Sequence, residues 1–168
     1  MNDSERAALA ILESTPAVLR ATLATLPGDL LTTPVERDWA PRHVAVHLLD
    51  VDHDGFRARF DHMLAEERPA ITSIDDVLER MEADTYSRPL TELLDDFERG
   101  RRDSCDWLAA LTDDQLTRAA DHDQAGEITV SNLLHYWAYH DLAHLRQVQR
   151  MLRSVVQHHL GNAAEYDV

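Results

Sequence analysis

The chain has 168 residues, of which 44% are hydrophobic, and its 16 basic against 31 acidic side chains give a formal net charge of −15. That length suits one domain with a single sizeable core, and so negative a surface repels polyanions, which excludes nucleic acid and anionic membrane as expected partners. Every basic residue is arginine, so Schiff-base lysine chemistry and a phosphate-loop lysine are excluded too. No apolar run approaches the ~20 residues of a bilayer span, and the opening "MNDSERAALAILES" is acidic and polar where a secretory leader is basic and then apolar. A cytoplasmic location is the expectation. The single cysteine, Cys105, has no partner for an intramolecular disulfide and is expected to act as a buried apolar residue.

The first helix is expected to start near Asp3 or Ser4, with Leu9, Leu12, Leu19, Leu23 and Leu26 as its apolar stripe and "LPGD" as its stop. Pro16 predicts a kink or a restart, with Thr15 as cap. A second helix is expected from "WAPRH", with Pro41 in its first turn, to about Glu67. Residues 69–88 read as a long connection in which "SIDDVLERM" offers a short helix capped by Ser73, with Asp76 three residues on. The third helix starts at "RPLTELL" and lines up Leu90, Leu93, Leu94, Phe97, Arg101, Cys105 and Leu108 on one face. A loop over residues 112–128 leads to a final helix from Thr129 to His159, closed by Gly161. These elements predict an all-α domain over residues 1–160, a four-helix bundle with a long crossover between helices 2 and 3, and a loose tail over 161–168.

The stretch "HYWAYHDLAHLRQ" puts histidines where a helical core wants leucine and valine. With His140 at 0° on an ideal wheel, His144 falls near ~40°, amid Leu133, Trp137, Val148 and Met151, whereas His135 turns away and is expected at the surface. On the second helix His47 sits at the margin of the stripe formed by Val44, Val51 and Ala58, with Asp50 and Asp54 beside it, at about −60° and −20°. Three imidazoles from two helices at the inner margins of a bundle are placed to converge, and an i, i+4 histidine pair is the usual way one helix offers two nitrogens to a metal. Hydrogen-bonded core histidines remain the alternative. In the metal case Asp50 or Asp54 is expected to orient a ligand or accept a proton. The other histidines, at 43, 53, 62, 122, 158 and 159, are expected to be mainly exposed. Trp39, Arg42 and Tyr136 are pocket candidates for which a structural role is the better expectation. "HDLAH" is not a zincin motif, because Asp141 is a methylene shorter than the glutamate base and no third ligand follows at the expected spacing. A serine-hydrolase elbow and glycine-rich phosphate loops are absent as well.

"TPAVLRATLATLP", "RDWAPRHVAVHLLDVDHDGFRARF", "YSRPLTELLDDF" and "LLHYWAYHDLAHLRQVQRML", in that order, resemble the DinB-like superfamily in its DinB-2 or YfiT-like branch. The resemblance implies an up-down-down-up bundle with a three-histidine metal site that lands on His47, His140 and His144. It implies a divalent transition metal (zinc, nickel or iron), a small-molecule substrate, and a homodimer. The activity it implies is thiol S-transfer with a low-molecular-weight thiol, or hydrolysis; the alternative is a metal- or ligand-binding protein of the stress response without catalysis.

Overall fold

The computed structural model describes residues 1–35, 39–73 and 87–166. Helix α1 (Asp3–Leu23) is followed by a short α2 (Gly28–Thr32) and by α3 (Pro41–Asp50), which runs through a π-helical segment, Val51–Arg57, into α4 (Ala58–Ala65). After strand β1 (Ala70–Ile71) come α5 (Leu90–Ala109), α6 (Asp113–Leu116), strands β2 (Ala119–His122) and β3 (Gly126–Thr129), and the long α7 (Val130–Gln157). The four long rods, α1, α3 to α4, α5 and α7, make a four-helix bundle in which α1 packs on α5 and α7, and α3 packs on the same two. The three strands form a small sheet in the order β1-β2-β3, parallel and then antiparallel.

Several local expectations change. The cap of α1 is Asn2, whose Oδ1 accepts from the backbone of Ser4 and Glu5 while Glu5 returns a bond to the Asn2 N–H. Pro16 does not restart the helix: α1 is continuous, and Thr15, instead of capping, donates its hydroxyl to the Ile11 carbonyl. The expected loop over 112–128 contains α6 and the β2–β3 hairpin, which four-residue strands too short for a clear alternation did not announce. Its turn needs a left-handed residue, supplied by Gly126 at φ 72°. The last helix ends at Gln157, ahead of His159, and a 3-10 turn follows over Gly161–Glu165. The expected "SIDDVLERM" helix lies mostly outside the described residues.

Apolar packing is split into two clusters. One gathers Leu12, Phe56, Phe60, Cys105, Leu108, Leu133 and Trp137; the other gathers Leu19, Leu48, Phe97, Val148 and Met151. Each wholly buried side chain of this size stabilises the fold by ~1.5–3 kcal/mol relative to leaving it in water. Along α7 the gap between the clusters, from Ala138 to Val148, holds His140, Asp141 and His144; along α5 it holds Arg101, and along α1 Pro16. The polar residues thus form a layer across the middle of the bundle.

Candidate metal centre and its cavity

Two groups of polar side chains occupy that layer, and the first is saturated. Arg101, 1% exposed, donates from Nε (2.9 Å) and Nη2 (2.6 Å) to Asp52 Oδ1, and from Nη1 and Nη2 to the two oxygens of Asp141. Its Nη1 also donates to the Leu12 carbonyl at 3.0 Å. Residue 16 would normally satisfy that carbonyl through its N–H, and proline has none, so Pro16 frees the acceptor that the guanidinium takes. Phe97 and Trp137 flank the cation, each ring centroid 4.9 Å from Cζ. Burial works against the Arg101 charge, yet Asp52 and Asp141 hold its pKa above the usual arginine value. Burial also opposes the Asp141 carboxylate, but Arg101 outweighs it and keeps that pKa low. At Asp52 burial wins over Arg101 and pushes the carboxyl up to about 6.

The second group is open. His47, His140 and His144 each present a ring nitrogen within 4.8 Å of the others. His47 Nε2 and His140 Nε2 are 3.1 Å apart, and the ring centroids of His144 lie 4.4 Å from both. His144 Nδ1 is 2.8 Å from Gln147 Oε1, an oxygen that only accepts, so Nδ1 carries the proton and Nε2 keeps its lone pair. The buried Nδ1 atoms of His47 and His140 have no hydrogen-bond partner among the described residues, the Asp141 carboxylate standing 4.0 Å from the latter. Burial, then repulsion from His144 and His140, brings the His47 pKa down to about 3; burial and His140 bring His144 to about 4. These two imidazoles are therefore neutral at physiological pH, the form that ligates metal.

The donor set fits an ion. Two nitrogens bound to one metal at ~2.0–2.1 Å in tetrahedral or octahedral angles stand ~3 Å apart, which matches the His47–His140 spacing. Three imidazoles leave coordination positions open, and they lie beside a cavity of about 690 Å³. His47 and His140 form part of its wall with Trp39, Phe56, Tyr136 and Arg59. Trp39 stacks on the His144 ring at 5.9 Å and meets the His47 ring edge-on at 5.3 Å, so it holds both rings in place as well as lining the cavity.

The structure brings the three predicted histidines together but leaves the two predicted acids outside. Asp50 is half-buried and Asp54 exposed, 2.8 Å from His53, and neither lines the cavity. Asp54 lies inside the π segment, whose wider i→i+5 turn takes its residues off the α-helical wheel; the turn spends one residue more than an α turn and sets everything beyond it back by about 100°. Asp52 is turned inward instead. Arg42 donates to the Arg88 carbonyl and does not reach the cavity. His135 turns away as expected but is half-buried, its Nδ1 2.7 Å from the Ser131 carbonyl oxygen; of the histidines expected at the surface, His43, His62 and His122 are half-buried too, and His53, His158 and His159 are exposed. Cys105 is buried, and burial pushes its thiol up to about 12, which leaves it unreactive.

A four-helix bundle with three inward imidazoles from two rods defines the class, and the comparisons give the family. The chain belongs to the DinB superfamily, whose model matches residues 11–148. It is 26% identical over 143 residues, 84% of this chain and 82% of the relative, to an Oceanobacillus iheyensis protein provisionally named a metal-dependent hydrolase. The solved structure of YfiT from Bacillus subtilis superposes with a TM-score of 0.82 at 25% identity, over 92% of this chain and 90% of that one; YfiT is described as a probable metal-dependent hydrolase with an unusual four-helix bundle topology.

Proposed function

We propose that the chain is a divalent-metal-dependent enzyme that hydrolyses a small molecule or transfers a thiol to it, with His47, His140 and His144 as the ligands. The observation that carries this is the open cluster itself: three nitrogens within 4.8 Å, two of the imidazoles held neutral by burial, beside a cavity large enough for a small organic substrate. The relatives' names as metal-dependent hydrolases support it. A bound cation of the zinc, nickel or iron type would supply Lewis acidity and a lowered pKa for water or thiol. The chain's own part is to orient and to exclude water. Gln147 fixes the His144 tautomer, Trp39 packs His144 and His47, and Phe56 stacks on Trp137 at 4.9 Å while meeting His140 at 5.3 Å. Asp141, held by Arg101, puts a buried carboxylate 4.0 Å from His140 Nδ1, a negative charge that favours a cation at the cluster. Asp50 and Asp54 take no part in this scheme.

Chelated protein, reconstituted with zinc, nickel or ferrous iron, is assayed on a panel of activated esters and electrophiles with and without low-molecular-weight thiols. Turnover that returns with metal in wild type and not in His144→Ala supports the proposal, and dependence on thiol separates transfer from hydrolysis. Metal uptake without turnover across the panel supports a binding protein instead. A homodimer belongs to the same proposal, with Tyr139 and Leu142, 68% and 48% exposed on α7, as candidates for the contact; sedimentation of wild type beside Leu142→Glu tests it.

A further inference from the structure

Among the described residues that line the cavity, Arg59 is the one arginine. Arg42 and Arg118 also donate to backbone carbonyls, but neither lines the cavity. Arg6, Arg20, Arg57, Arg68, Arg88 and Arg101 each meet a carboxylate, as expected in a chain with 31 acids against 16 basic residues. Arg59 meets none among the described residues. Its hydrogen bond runs from Nη2 to the backbone carbonyl of Thr72, which leaves Nε and Nη1 uncommitted among the described residues. The carboxylate whose field it feels, Asp123, is engaged by the Ser73 N–H at 3.1 Å and by the Ser73 hydroxyl at 3.0 Å. A guanidinium taken partly out of water gains from an anion at its free donors, because desolvating a charge is costly unless it is paired.

The fold aims this side chain at the cavity by the same device that turns Asp54 away. On an uninterrupted α-helix Arg59 falls about 120° from His47; the extra residue of the π turn brings it to about 20°. It therefore lines the same cavity as His47 and His140, with Phe56 and Tyr136 alongside. We propose that Arg59 is the anchor for an anionic group of the substrate, so that the enzyme takes small carboxylates with an apolar or aromatic body whose reacting end lies against the three histidines. A planar guanidinium with two free donors on adjacent nitrogens suits a carboxylate, which it binds in a fork, while the aromatic wall takes the body. The proposal rests on the metal-centre reading for what happens at the reacting end, but the anchor is testable without metal.

Metal-free protein is titrated with 3-phenylpropionate and with its neutral counterpart 3-phenylpropanamide, following intrinsic fluorescence, to which Trp39 in the cavity wall contributes, and confirming Kd by calorimetry. The acid is expected to bind about tenfold more tightly than the amide. Arg59→Gln is expected to erase that preference and Arg59→Lys to keep part of it, both with wild-type melting temperature and metal content. Equal binding of acid and amide, no saturable binding of either, or a preference that survives in Arg59→Gln overturns the anchor. Metal content and turnover are read separately, so loss of the anchor leaves the metal centre standing, and the reverse.

Discussion

Asp141 and His140 are neighbours on α7, yet the clusters they belong to are opposites. The Asp52–Arg101–Asp141 group is wholly buried and closed: the guanidinium reaches two carboxylates and a carbonyl that Pro16 sets free. The histidine group is half-buried and open, with two orphaned Nδ1 atoms and three nitrogens crowded on one point beside a cavity. Ionic groups that satisfy one another hold elements together; a cluster left with buried polar atoms unpaired is what a ligand site looks like. The closed cluster spans α1, the π segment, α5 and α7, and so fixes the rods from which the open one is hung.

The contrast breaks most visibly at Arg101. Arg101→Met leaves Asp52 and Asp141 buried together without a cation and is expected to cost about 3–5 kcal/mol in urea unfolding. A loss under about 1 kcal/mol would contradict a closed, saturated cluster. Removing metal is the next effect: an ion at about a hundred times its Kd stabilises the fold by ~2.7 kcal/mol, so the melting temperature should rise on loading wild type and stay put in His140→Ala. An equal rise in the variant would place the ion elsewhere.

Acid sharpens the comparison, with opposite signs at the two clusters. His47 and His144 have folded pKa values of about 3 and about 4 against an ordinary 6.5, so their contribution to metal-free stability is present above pH 6.5 and is lost as pH falls toward 4. Asp52, raised to about 6 from 3.8, works the other way: its contribution is full below pH 3.8 and is lost as pH rises through 6. Two histidines against one aspartate predict net loss of stability between pH 6.5 and 4. His144→Gln should flatten that profile and Asp52→Asn steepen it, as read by unfolding at a series of pH values. Pro16→Ala is expected to have the smallest effect, within about 1 kcal/mol, because the helix regains an N–H that then competes with Arg101 for the Leu12 carbonyl.

Periodicity made the rods, the core stripe of α5 and the inward turn of His47, His140 and His144 legible in the sequence, since each depends on regular α geometry ahead of any irregularity. What it missed lies within and beyond the π segment, where one extra residue re-aims the chain: Asp54 falls outside, while Asp52 and Arg59 turn in. A charge in an apolar stripe was the available signal for the closed cluster, because Arg101, four residues from both Phe97 and Cys105, demands a buried counter-charge. The short strands gave no such signal. Their pairing is set by contacts distant in sequence, as where Arg68 bridges Asp121 and Glu127.

Metal analysis of the purified protein under metal-replete conditions tests the central claim most directly. About one divalent ion per chain is expected in wild type and in Arg59→Gln, falling well below that in His47→Ala, His140→Ala and His144→Ala and to background in the triple variant. Wild type that holds no more metal than the triple variant would contradict the account.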